Sequence, residues 1–263
     1  MKLPSLRLVR RFKCFPLFGL LLFATAFSEV RLPKIFSSNM VLQQEKPIII
    51  WGWDAPGTVV TVTLGSKSAQ ATANPKGEWK ATLPAMKVDG KAYTLTVKGT
   101  TTILLGNLLI GEVWLCSGQS NMEMGIKACL NADAEIAAAN YAKIRLFLIP
   151  KKFLRSPTND VPATWVECSS SNIVQGGWGG FSAAAYYFGR TIHTNLKIPV
   201  GLIESAWGGT RIEPWTPPEG FAMVPALQSQ LTQAMGMDPT SPLRKAMLAD
   251  YLKKTDEWIA SAR

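Results

Sequence analysis

A chain of 263 residues has room for one large domain or two ordinary ones, and its 47% hydrophobic and 17% charged residues exclude a disordered polypeptide. The formal net charge of +10 overstates its basic character, because five basic and no acidic residues fall in the first 28 positions. The remainder carries about +5 without a dense Lys/Arg patch, which argues against a nucleic-acid partner.

In chain order, Lys2, Arg7, Arg10, Arg11 and Lys13 precede the apolar stretch "CFPLFGLLLFATAF", and small residues then offer cleavage after Ala26 or Ser28. This is the pattern of a secretory signal peptide over 1–28, which directs the protein to the periplasm or the extracellular space. A retained anchor is the second reading. The apolar run is short for a membrane-spanning helix, so no stable membrane anchor is expected.

Residues 29–105 read as all-β. Runs such as "TVVTVTL" and "YTLTVKG" alternate with period two, and "APG", "NPKG" and "VDGK" punctuate them at close spacing. That pattern predicts a small β-sandwich. From about residue 106 the texture changes. "LLIGEVWLCSG" is a continuous apolar run, as for a strand buried on both faces, and "KIRLFLIP" (143–150) and "IPVGLIESA" (198–206) repeat it. Helical stretches lie between them, including "DAEIAAANYA" and 181–196, for which Ser182 is the candidate N-cap. Strands alternating with helices predict an α/β unit with a parallel sheet over 106–263. Residues 218–263 read as helical and amphipathic, and no fourth clear strand follows. The α/β unit therefore looks unfinished, with a free edge that exposes apolar strand surface.

Ligands of a parallel sheet bind beyond the carboxyl ends of its strands. Two loops lie there, "SGQSN" after Cys116 and "AWGGTRIEPW" after Ser205, and both should open on the same edge. Gly118 permits a tight turn, and Ser120 at a strand-to-helix turn exposes its hydroxyl beside backbone N–H groups that can hold an oxyanion. From spacing alone, Ser120 as nucleophile and Ser120 as helix cap stand near even. Met122 occupies the last position of a G-x-S-x-G elbow, so the segment is not that motif. In the second loop, Gly208 and Gly209 let backbone amides approach a substrate. Arg211 and Glu213 read as an ion pair, and Trp207 and Trp215 either line a sugar pocket or pack.

The chain has a single histidine, His193, near the carboxyl end of the 181–196 helix. That helix returns to the start of the next strand, so His193 should sit at the sheet edge opposite Ser120, and no triad can be completed within the chain. Beyond the expected leader, which holds Cys14, the cysteines Cys116, Cys129 and Cys168 are an odd number with no metal-ligand spacing, so neither a metal nor a cofactor is expected. The three read as buried small hydrophobes, with a disulfide between two of them left open.

Several long blocks occur together: "SNMVLQQEKPIIIWGWDAPGTVVTV", "GEWKATLP", "GEVWLCSGQSNMEM", "FSAAAYYFGR" and "PVGLIESAWGGTRIEPWTP". With these, the sequence from about 30 to 218 resembles the bacterial sialate O-acetylesterase family of the SGNH-type hydrolase superfamily. The resemblance implies an N-terminal β-sandwich over 29–105 followed by a three-layer α/β/α domain. It implies that Ser120 is the nucleophile on an acetyl ester, that Gly209 and the Ser120 N–H hold the oxyanion, and that Gln119 and Asn121 belong to the same block. The family's later Gln-Gly-Glu and Asp-x-x-His segments have no counterpart here, so the chain is expected to be a fragment, inactive for lack of the catalytic histidine. The implied substrate is an O-acetylated sugar, either sialic acid or an acetylated polysaccharide such as xylan. The competing class is a carbohydrate-binding protein without turnover.

Overall fold

The computed structural model describes residues 29–261, and the expected signal segment 1–28 lies outside them. The first part of the chain supplies β1 (Val41–Gln43), β2 (Ile48–Trp53), β3 (Val59–Leu64), β4 (Lys67–Thr72), β5 (Glu78–Leu83) and β6 (Tyr93–Lys98). Then follow the long β7 (Thr102–Gly118), α1 (Ser120–Glu123), α2 (Ala132–Ala138), β8 (Tyr141–Leu148) and β9 (Val166–Cys168). The chain continues through α3 (Ala183–Leu196), β10 (Val200–Ala206), α4 (Pro218–Ala222), α5 (Gln228–Met237) and α6 (Pro242–Ser261).

Period-two burial builds the first half. β2 turns Ile48 and Ile50 inward and Ile49 and Trp51 outward, and its antiparallel partner β5 turns in Trp79, Ala81 and Leu83. This two-stranded ribbon shares a core with Val60, Val62 and Leu64 of β3, Leu95 and Val97 of β6, and Leu108 of β7. Each such fully buried aliphatic side chain contributes about 2 kcal/mol.

The remaining strands form one mixed sheet in the order β4-β3-β6-β7-β10-β8-β9, with β1 also pairing with β7. β7 crosses residues 105 and 106 without a break. Its first part pairs antiparallel with β6, and its second part pairs parallel with β1 and β10. The register slips where this change occurs, between the Leu95–Leu105 and Tyr93–Leu108 pairs, and Asn107 there has φ +59°. A bulge of this kind bends a strand and re-aims it. Buried Arg145 of β8 secures the bend, donating to the carbonyls of Asn39 (3.0 Å), Asn107 (3.1 Å) and Ala142 (2.7 Å) and pairing with Glu167 at 3.3 Å.

β10 lies between β7 and β8, parallel to both. On one face of these strands α3 buries Ala183, Ala185 and Tyr186, and Gly189 lets Leu202 approach closely: a Cβ there would lie 2.7 Å from Leu202 Cδ1. Ser182 caps α3 as expected, its hydroxyl accepting from the Ala185 N–H at 3.1 Å. The structure differs from the sequence reading in two places. The apolar run of β7 is not covered on both faces, for Trp114 is 42% and Leu115 66% exposed beside the strand's unpaired edge. The 218–261 region is helical, but α5 and α6 bury none of their residues, and Met247, Leu248, Tyr251 and Trp258 stand exposed. No helix among the described residues is long and apolar enough to cross a membrane.

Candidate active site

The parallel register sets the site. Ser117 pairs with Ser205 and Gly118 with Ala206, so β7 and β10 end level with each other. Trp207 adds one further rung by donating its N–H to the Gly118 carbonyl at 3.0 Å. The two loops therefore leave the same sheet edge and meet. A Cβ on Gly208 would lie 3.3 Å from the Ser120 Cβ.

Ser120 is the first residue of α1, after Gln119 at the N-cap position, and neither residue makes a side-chain capping bond. The Gln119 carbonyl accepts the Met122 and Glu123 N–H groups, both at 2.9 Å. Ser120 is half-buried, and its hydroxyl has no hydrogen-bond partner among the described residues. The helix-cap alternative therefore does not describe this hydroxyl. Gln119 and Asn121 are exposed at the same turn.

Gly209 adopts φ +76°, a conformation that favours glycine, with nothing close to its Cβ position. Gly208 is glycine for a different reason. Its Cβ would lie 2.9 Å from Glu123 Oε2. The Gly208 N–H donates to Glu123 Oε2, whereas the Gly209 N–H has no acceptor among the described residues.

A cleft of about 330 Å³ opens beside the two turns, lined among others by Gln119, Thr210, Arg211 and Trp215. Trp215 is fixed by donating its indole N–H to Thr210 Oγ1 at 2.8 Å, and Thr210 in turn donates to the Trp207 carbonyl at 2.7 Å. Arg211 is exposed and forms no ion pair with Glu213 among the described residues, contrary to the expectation. Glu213 opens a short 3-10 turn, and residues two apart there do not face each other.

Three site residues carried no role in the sequence reading. Glu123, 5% exposed, pairs with Lys151, whose ammonium lies 5.9 Å from the centre of the Trp207 ring. The Lys151 hydrogen bond, helped by the Gly208 N–H, holds the Glu123 carboxyl below its ordinary value despite burial. Glu204 on β10, 3% exposed, accepts the Ser182 N–H at 2.7 Å. Burial pushes its carboxyl up to about 7, and the Glu123 charge acts in the same direction. The available signal for Glu123 was its position three residues after Ser120, one helical turn along the same face.

His193 lies where the chain order placed it. Its Nδ1 is 2.7 Å from the Ile198 carbonyl and its ring packs against Tyr141, at the starts of β10 and β8. The seven-residue β10 separates it from the Ser120 edge, roughly 20 Å at strand rise. All three cysteines in the described residues are free. Burial raises the thiols of Cys116 and Cys168 to about 11 and about 12, so neither supplies a thiolate nucleophile.

No protein-family model matches the chain. Over 222 residues it is 33% identical to the sialate O-acetylesterase of Mus musculus, an alignment covering 76% of this chain and 41% of the mouse protein. Over 201 residues it is 34% identical to the Homo sapiens sialate O-acetylesterase, covering 71% of this chain and 38% of the human protein. The chain is homologous to sialate O-acetylesterases. The crystal structure of a carbohydrate acetylesterase from Xanthomonas citri superimposes with a TM-score of 0.69 at 30% identity, covering 77% of this chain and 45% of that one. The chain spans about two fifths of the length of the curated relatives it matches.

Proposed function

We propose that this chain carries the nucleophile and oxyanion-binding part of an exported carbohydrate O-acetylesterase of the SGNH type. The observation that supports the reading best is the meeting of an unpartnered Ser120 hydroxyl with the Gly208–Gly209 turn, in a chain homologous to sialate O-acetylesterases. Ser120 Oγ attacks the acetyl carbonyl. The N–H groups of Ser120 and Gly209 receive the oxyanion, the sugar hydroxyl leaves, and water clears the acetyl-enzyme. Gln119 and Arg211 line the cleft, Asn121 is exposed at the same turn as Ser120, and Trp215 in the cleft, with Trp207 beside it, offers a face for a sugar ring. His193 is not placed to act as the general base in this reading, because it lies across the sheet. In this reading residues 29–105 form a β-sandwich module, 106–263 belong to an α/β/α domain, and the leader 1–28 takes the protein to the periplasm or beyond the cell.

The test is acetate release from O-acetylated sialic acid and from acetylated xylan by the natural protein that carries this sequence, with Ser120→Ala beside it. Release lost in Ser120→Ala while sugar binding persists supports the esterase and names its substrate. Unchanged function in Ser120→Ala would favour a carbohydrate-binding protein without turnover. The isolated 263-residue chain is expected to release essentially no acetate. Strong hydrolysis by it, abolished in Ser120→Ala, would return His193 to consideration.

A further inference from the structure

A diglycine turn is among the most mobile pieces of backbone a chain can make, since glycine loses the most conformational freedom when fixed. A turn that must hold one amide at an oxyanion needs an external tie. Glu123 is placed to be that tie. It sits at the end of α1, three residues after Ser120, and its carboxylate is buried between the two loops. One oxygen accepts the Gly208 N–H and the other pairs with Lys151, whose ammonium also lies beside the Trp207 ring. Nucleophile, carboxylate and turn thus form one connected unit: Ser120 and Glu123 share α1, and Gly208 bonds Glu123 and lies so near Ser120 that a Cβ on it would meet the serine side chain at 3.3 Å.

The geometry divides the work of the two glycines. The Gly208 N–H is consumed by Glu123, so it is not available to a substrate. The chain turns at once through the φ +76° of Gly209, which leaves the Gly209 N–H free of any acceptor among the described residues. Gly208 has no side chain because the carboxylate occupies that space, and Gly209 has none because its backbone angle excludes one. A charge-assisted N–H···O⁻ bond is roughly twice as strong as a neutral one, and Lys151 keeps the carboxylate charged in its buried position.

We propose that Glu123, supported by Lys151, is the positioning residue that fixes the Gly208–Gly209 turn against Ser120 and so holds the Gly209 N–H toward the reacting carbonyl. The proposal rests on the esterase reading of Ser120. Glu123 is not itself the base: both of its oxygens are engaged, and its charge is stabilised by its partners.

The test uses the full 263-residue chain with Trp labelled at the carbonyl carbon and Gly at nitrogen. Only three Trp-Gly pairs exist, so Gly52, Gly179 and Gly208 alone give coupled amide signals. In wild type the Gly208 amide shift should follow a carboxyl titration below the ordinary range. Glu123→Gln should abolish that titration, and Lys151→Met should move it upward. Amide exchange at Gly208 should accelerate at least roughly tenfold in Glu123→Ala, while Gly52, far away in β2, reports that the fold is retained. If Glu123→Ala does not fold, the Gln and Met variants decide. A Gly208 amide that is pH-independent in wild type, or unmoved by Glu123→Gln, overturns the proposal whatever Ser120 does. In the natural protein, Glu123→Gln should lower kcat for acetate release with KM little changed. An unchanged kcat would reduce the tie to a structural contact and overturn its positioning role. A Gly208 amide that behaves as described, together with acetate release indifferent to Ser120→Ala, would sink the esterase reading and leave the tie standing.

Discussion

Toward the amino ends of the parallel strands, polar groups are paired off. His193 is bonded to the Ile198 carbonyl, and buried Arg145 is spread over three carbonyls and Glu167. At the carboxyl ends the Ser120 hydroxyl and the Gly209 N–H have no partner among the described residues, although the two buried carboxylates there, Glu123 and Glu204, are partnered by Lys151, Gly208 and Ser182. At the amino ends these groups are paired by the fold itself. Unpartnered donors remain where strand ends, glycines and a half-buried hydroxyl converge, and such preorganised groups are what an oxyanion-forming reaction requires.

The comparison breaks most easily at Ser120. In the natural protein Ser120→Ala should lower acetate release by about 10⁴-fold or more, because a nucleophile and its partners act as a unit. A loss of less than tenfold would remove the distinction between the two edges. The next largest effect belongs to Glu204. A carboxyl that stands at about 7 in the fold and 4.5 outside it stabilises the fold in its protonated form. That contribution is complete below about 4.5 and is lost as pH rises through about 7, a change of about 3 kcal/mol. Glu204→Gln should flatten this part of the pH profile of thermal unfolding. Glu123 has the opposite sign: its lowered carboxyl stabilises above the ordinary range, and the contribution is lost as pH falls. Gly208→Ala should displace the turn from Ser120 and cost about 10² in acetate release, as misplacements of about 1 Å do. The smallest effect is expected at the far edge, where His193→Gln should leave acetate release within about twofold of wild type.

Much of this contrast was legible in the residues. The strand runs ending at Cys116 and Ser205, each followed by glycine, already placed both loops on one edge, and the 181–196 helix carried His193 to the other. Ser182 as a cap followed from its position before a helical stretch with no breaker except Gly189. What the sequence concealed has physical causes. The texture changes from about residue 106, yet a single strand runs through that point with a bulge at Asn107, because Arg145, distant in sequence, holds the bend. A free edge exposing apolar surface was expected, but that the exposed residues are Trp114 and Leu115 could not be read from the run, since an apolar run does not reveal which parts of its faces are covered. Lys151 was invisible as the partner of Glu123 because 28 residues separate them and no local periodicity links the two.

The most direct test is a structure of the natural protein with Ser120 captured by an organophosphonate, in which Ser120 Oγ bonds phosphorus as the leaving group departs. The phosphonyl oxygen should lie about 3 Å from both the Ser120 and the Gly209 N–H groups, with the Gly208 N–H still on Glu123. A phosphonyl oxygen directed to solvent, or bound by the Gly208 N–H after it has left Glu123, would contradict the account.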